Sequence, residues 1–140
     1  MSRNKKKNEK TVGSTRVIGY VRVSTEQQAD KGSSLEAQEA HLRSFAALRG
    51  LELIRIEVDA GLSAGSLERP GLQRALASLD AFEAQGIVVV KLDRLTRSVR
   101  DFCDLVDAHF KDGQNILLSV HENVDTSNAM GRMVLNILMS

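Results

Sequence analysis

The run Ile87-Val88-Val89-Val90-Lys91-Leu92 constrains this chain more than any other feature. Four consecutive β-branched residues pack poorly in a helix and well in a strand. The run has no polar alternation, so both faces of that strand need apolar cover, which places it inside a parallel sheet flanked by helices. The rest of the chain supplies the partners. Val17-Ile18-Gly19-Tyr20-Val21-Arg22-Val23 reads as an earlier buried strand beginning at Arg16. Residues 51–58 read as another, ending at Asp59, and 115–120 as a further one. Amphipathic segments lie between them. Ser33 and Glu36 form a capping-box signature, followed by Leu35, Leu42, Phe45 and Ala46 at helical spacing and a stop at Gly50. Pro70 suits a first helical position, and Leu72, Leu76, Leu79 and Phe82 give the next helix its stripe, with its end near Gly86. A third helix is predicted over 98–111, before the Asp112-Gly113 turn. Strands alternating with helices predict an α/β fold: a mainly parallel β-sheet with flanking helices.

A chain of 140 residues holds one such domain. No apolar run reaches the length of a membrane span, and no apolar stretch follows the lysine-rich start as a signal peptide would require. No membrane association and a cytoplasmic location are therefore expected. Cys103 is the only cysteine, and His41, His109 and His121 are scattered, so no intrachain disulfide and no metal site are expected. Residues 1–15 are polar, lack periodicity and read as a disordered basic arm. The chain has 19 Lys and Arg against 18 Asp and Glu; five of the basic residues and one acidic residue fall in the first ten positions, which leaves 14 against 17 in the remainder, a net of −3. A module that grips nucleic acid unaided is usually clearly basic, so most of any such binding free energy has to come from elsewhere. A last helical pattern, Met130, Met133, Val134, Ile137 and Leu138, starts near Ser127 and runs to Ser140 without a stop signal. It reads as the start of a longer helix, and the chain as a piece of a longer protein.

In an open parallel sheet, ligands bind beyond the carboxyl ends of the strands. Arg22-Val23-Ser24-Thr25, Asp59, and Lys91-Leu92-Asp93-Arg94-Leu95-Thr96-Arg97 all fall there. Strand alternation puts Arg22 and Ser24 on one face. Placing Arg97 in the first turn of the following helix would let Arg94 and Arg97 point to one side at a spacing of three. A hydroxyl among arginines suits attack on a phosphodiester, because guanidinium forks hold phosphate oxygens and offset the charge that builds on them. Serine needs activation to attack, and no histidine stands near Ser24 in sequence. Asp93 is the available carboxylate, either to move a proton or to orient Arg94.

Four segments carry a resemblance. Tyr20-Val21-Arg22-Val23-Ser24-Thr25, Ser34-Leu35-Glu36-Ala37-Gln38, Glu68-Arg69-Pro70-Gly71-Leu72 and Lys91-Leu92-Asp93-Arg94-Leu95-Thr96-Arg97 resemble, in order and spacing, the resolvase/invertase family of serine site-specific recombinases. Gly131-Arg132-Met133 resembles the start of that family's long oligomerisation helix, and the Ser-Leu-Glu-Ala-Gln pattern is closer to the large serine integrases. The resemblance implies a resolvase-like catalytic domain over 16–126, the start of the long helix over 127–140, and a DNA-binding region absent from this chain. It implies that Ser24 attacks the DNA backbone to form a 5′-phosphoserine link. Arg22, Arg69, Arg94 and Arg97 match the phosphate-contacting arginines. Gln38 and Asp93 match further catalytic positions, and Asp59 matches an acidic position whose role the resemblance leaves open. No metal and no cofactor are implied. The partners implied are double-stranded DNA at recombination sites and, in the full-length protein, a homodimer and homotetramer. Integration, inversion and resolution of mobile elements are all compatible outcomes.

The loop over 60–69, with Gly61, Ser63, Ala64, Gly65 and Ser66, is expected to be mobile without DNA and to hold Arg69 too far from Ser24 to share a phosphate with it. Two other classes fit less well. A nucleotide-binding module would need a glycine-rich loop after the first strand, and Ser24-Thr25-Glu26-Gln27-Gln28 has none. A catalytically dead relative would lack active-site residue types that are all present here.

Overall fold

The computed structural model describes residues 15–24, 34–61, 69–96, 98–111, 113, 115–126 and 137. Strand β1, Arg16–Val23, is buried from Val17 onward. Helix α1, Leu35–Arg49, leads to strand β2, Glu52–Ala60. Helix α2, Pro70–Asp80, leads to β3, Gly86–Val89. A 3-10 turn over Leu92–Arg94 precedes helix α3, Val99–His109. Strands β4, Ile116–Ser119, and β5, Val124–Asp125, follow. The sheet order is β2-β1-β3-β4-β5. The first four strands are parallel, and β5 runs antiparallel to β4.

Two apolar layers sandwich this sheet. On one face Ile18, Tyr20, Ile87 and Val89 pack with Leu72 and Leu76 of α2 and Phe102 and Leu105 of α3. On the other, Val17, Val21, Val88 and Leu118 pack with Leu42 of α1. Val88 and Val89 thus enter opposite layers, which is why their run lacks polar alternation.

Local chemistry sets the boundaries, some of them differently from expectation. The cap of α1 is Ser34, whose hydroxyl oxygen accepts the Ala37 N–H at 3.2 Å. Ser33, the expected cap, lies outside the described residues; in a serine pair either hydroxyl suits, and only the register of the first turn selects one. Gly50 ends α1 in the left-handed region at φ 67°, as a C-terminal glycine does. Pro70 opens α2 as expected, but the helix stops at Asp80, well short of Gly86, which begins β3. Strand β3 stops at Val89 rather than continuing to Leu92, because the chain coils at Leu92–Arg94. Two-residue β5 carries too little sequence to show a periodicity. Among the described residues no helix is long and apolar enough to cross a membrane. Of the expected last helix only Ile137 is described; it is helical and exposed.

Candidate active site

Between β1 and β3 the chain reverses its travel across the sheet. The first connection leads from β1 to β2 on one side, and the next crosses back to β3 on the other. Such a reversal leaves a crevice beyond the carboxyl ends of the two strands. Ile18 and Tyr20 lie in the layer facing α2 and α3, so alternation places Arg22 and Ser24 on that side. Ser24 directly follows β1 and is half-buried.

Around Arg22 the predicted side chains interlock. Gln38, one turn into α1, donates from Nε2 to the Arg22 carbonyl at 3.3 Å. Arg94 donates from Nη1 to the same carbonyl at 3.0 Å. Arg22 in turn donates from Nη2 to the Asp93 carbonyl at 3.4 Å. Arg94 also donates from Nε to Asp93 Oδ1 at 2.9 Å. Arg69, at the start of α2, donates from Nη1 to the Arg94 carbonyl at 2.9 Å. Arg22, Gln38, Arg69 and Arg94 are all buried. β1, α1, the start of α2 and the Leu92–Arg94 turn therefore deliver five of the predicted residues to one cluster.

Arg69 is locked onto Arg94, and its position is set by the start of α2. Of the loop before it, residues 62–68 lie outside the described residues. So does Arg97. Ser98 caps α3 by accepting the Asp101 N–H, and the helix begins at Val99.

Electrostatics follow from the burial. Burial pushes the Asp93 carboxyl up, but the hydrogen bond from Arg94 and the charges of Arg94, Lys91 and Arg22 outweigh it and hold the pKa below the ordinary 3.8. Asp93 is therefore charged at neutral pH. Burial lowers the Arg69 pKa, opposed by Tyr20 and Asp59; a guanidinium starts so high that it stays protonated. Burial, and then its hydrogen bond to Asp59, raises the Tyr20 pKa far above the ordinary 10.0. Among the described residues no group of three His, Cys, Asp or Glu side chains is placed to hold a metal ion.

Two structural supports escaped the sequence reading. Glu122, in the β4–β5 turn, accepts the Leu92 N–H at 3.2 Å and the Ser119 hydroxyl, pinning the turn that carries Asp93 and Arg94. Tyr20 donates its hydroxyl to Asp59 at 2.7 Å, and its ring centroid lies 5.6 Å from the Arg69 guanidinium carbon. Tyr20 was legible: it precedes Arg22 and Ser24 at the two-residue period of one strand face. Glu122 carried no comparable signal, because its partner stands thirty positions away.

The fold and the cluster agree with the chain's relatives. The model of the family described as "Resolvase, N terminal domain" matches residues 17–140. The serine recombinase gin of Escherichia phage Mu is 36% identical over 122 residues, 87% of this chain and 55% of that protein. The DNA-invertase hin of Salmonella typhimurium is 35% identical over 121 residues, covering 86% and 56%. The chain thus spans about half the length of these relatives. The crystal structure of the N-terminal catalytic domain of TP901-1 integrase superposes with a TM-score of 0.81 at 40% identity, covering 89% of this chain and 91% of that one. A resolvase family site-specific recombinase from Streptococcus pneumoniae superposes with a TM-score of 0.69 at 25% identity, covering 89% and 86%. A strand order that opens a crevice at β1 and β3, the serine and arginines gathered there and these relatives lead to one assignment: the chain belongs to the resolvase N-terminal domain family of serine recombinases.

Proposed function

We propose that this chain is the catalytic domain of a site-specific DNA recombinase that cuts and rejoins strands through Ser24. The observation that carries this reading is the cluster itself: Arg22, Arg69 and Arg94 tied together with Gln38 and Asp93, two residues from a serine at the end of β1. The Ser24 hydroxyl gives up its proton as its oxygen attacks phosphorus and forms a phosphoserine bond to the 5′ end. The bond from phosphorus to the 3′ oxygen breaks, and that oxygen takes up a proton to leave as the 3′-hydroxyl. Rejoining is the reverse, and the phosphoserine bond retains the energy it needs. Guanidinium groups offset the negative charge on the non-bridging oxygens as the five-coordinate phosphorus forms. Arg97 belongs to this set by its place in the family motif. Asp93, charged and bonded to Arg94, suits the task of orienting that arginine better than that of carrying a proton.

Double-stranded DNA at a recombination site is the substrate, in the cytoplasm. The net −3 of residues 11–140 fits a domain brought to DNA by another part of the protein. Homodimers and homotetramers would form through the helix that starts over 127–140. Trapping on site-containing DNA tests the reading: the intact recombinase should form a covalent protein–DNA species that Ser24→Ala abolishes, while DNA affinity stays within a few-fold. Cleavage persisting in Ser24→Ala would overturn it.

A further inference from the structure

We propose that Asp59 and Tyr20 are positioning residues whose task is to set the Arg69 guanidinium, a role that rests on the reading above of Arg69 as a phosphate-binding group. Helix α2 starts without a conventional cap. Its N-cap residue is Arg69, and no side-chain cap hydrogen bond is made there. The N-cap place usually goes to Ser, Thr, Asp or Asn, whose oxygen accepts the N–H of the second or third helical residue. A guanidinium has no acceptor and cannot do this. The open donors of the first turn still need partners. Pro70 has no N–H to satisfy. The N–H groups of Gly71 and Leu72 donate to Asp59 Oδ1 and Oδ2 at 2.8 and 3.0 Å. Asp59, from the adjacent strand β2, thus does the work of the missing cap and frees the N-cap side chain for the cluster.

The remaining contacts close a ring. Tyr20 donates its hydroxyl to Asp59 Oδ2 at 2.7 Å, while its aromatic face carries the Arg69 guanidinium, with 5.6 Å from the guanidinium carbon to the ring centroid. Arg69 itself reaches the Arg94 carbonyl. A Cβ on Gly71 would stand 3.0 Å from the Asp59 carboxyl carbon and from both its oxygens, so only glycine admits the carboxylate without displacement. The sequence Arg69-Pro70-Gly71-Leu72 reads accordingly: an arginine to deliver, a residue with no N–H, a residue with no side chain, and the last donor. Asp59 and Tyr20 are both buried behind Arg69, and the donors on Asp59 come from the protein's own backbone and phenol. They act on Arg69 from both of its ends: Asp59 holds the backbone that bears it, and Tyr20 holds the guanidinium.

The test is a set of single-turnover cleavage rates at saturating DNA in the intact recombinase, with Ser24→Ala as the blank. Asp59→Ala should slow covalent-complex formation about 100-fold, the effect of a reacting group misplaced by about an ångström, with DNA affinity within a few-fold. Tyr20→Phe keeps the ring and removes only the strut to Asp59; it should slow cleavage about 10-fold, and it serves if Asp59→Ala does not fold. In an Arg69→Ala background neither substitution should slow cleavage further, since both act through Arg69. Amide exchange at Gly71 and Leu72 should quicken in Asp59→Ala and stay unchanged in Arg69→Ala. Wild-type cleavage rates in Asp59→Ala and Tyr20→Phe, or equal slowing with and without Arg69, would overturn the positioning role. Undiminished cleavage by Arg69→Ala would instead remove the reading of Arg69 beneath it, and absence of any Ser24-dependent complex would remove the functional reading itself.

Discussion

Three guanidinium groups, of Arg22, Arg69 and Arg94, are buried in one hydrogen-bonded cluster, where they meet backbone carbonyls and the Asp93 carboxylate. Taking a charge out of water opposes folding by several kcal/mol even after relaxation, so stability alone does not account for such a cluster. Charge assembled ahead of the substrate is what a phosphoryl-transfer site needs. Arg94 spans two acceptors at once, Asp93 Oδ1 through Nε and the Arg22 carbonyl through Nη1. A lysine is a point charge and cannot reproduce that fork. Arg94→Lys should therefore lower the cleavage rate by about 100-fold or more, and Arg97→Lys should do likewise; near-normal rates for both would make them structural ion-pair residues. Asp93 gives a second check. Its pKa is held below the ordinary 3.8, so it stays ionised across the neutral range and loses its charge only as pH falls below that of a free carboxyl. Asp93→Asn should reduce cleavage without moving any inflection of the rate between pH 6 and 9. An inflection near neutrality that vanishes in Asp93→Asn would identify Asp93 as a proton carrier.

At the scale of elements, α2 shows how termini are shaped by more than helix propensity. Its start is capped from another strand, as argued above. At its end Ala81 is the C-cap, and Phe82 follows at φ 60°, in the left-handed region, with its ring exposed. That conformation opposes a residue with a Cβ by roughly 1–2 kcal/mol and is the usual place for glycine. Phe82→Gly should therefore raise stability by about 0.5–1 kcal/mol once the greater freedom of glycine in the unfolded chain is subtracted. The urea midpoint measures it. A lowered midpoint would mean that the exposed ring is held by contacts stronger than the backbone strain.

For the whole molecule, the sheet order brings the ends of β1 and β3 together, and the proposed assembly through the last segment can be tested. Ile137 is exposed; its expected companions Met130, Met133, Val134 and Leu138 lie outside the described residues. An apolar stripe left uncovered drives association, and methionines suit a surface that repacks. Glutamate at positions 133 and 137 (Met133→Glu with Ile137→Glu) should weaken concentration-dependent self-association in sedimentation while the thermal transition stays cooperative. Loss of cooperative folding in that variant would place the stripe in the core of the domain.

The alternation of strand-like and helical segments was enough to predict an α/β fold with a mainly parallel sheet, because the apolar period is a local property of each segment. The run at 87–90 declared its double burial by composition alone, and Pro70 and Gly50 marked helix ends through their own backbone chemistry. The motif residues at the ends of β1 and β3 were legible for the same reason: position within a strand can be counted. What the tertiary structure decided is who meets whom. That Asp59 caps α2, that Arg69 locks onto Arg94, that Glu122 pins Leu92 and that Val89 ends β3 all depend on pairs separated by many residues or on a turn imposed by such a pair. Hydrogen bonds between distant segments leave no periodicity in either one, so only the folded arrangement reveals them.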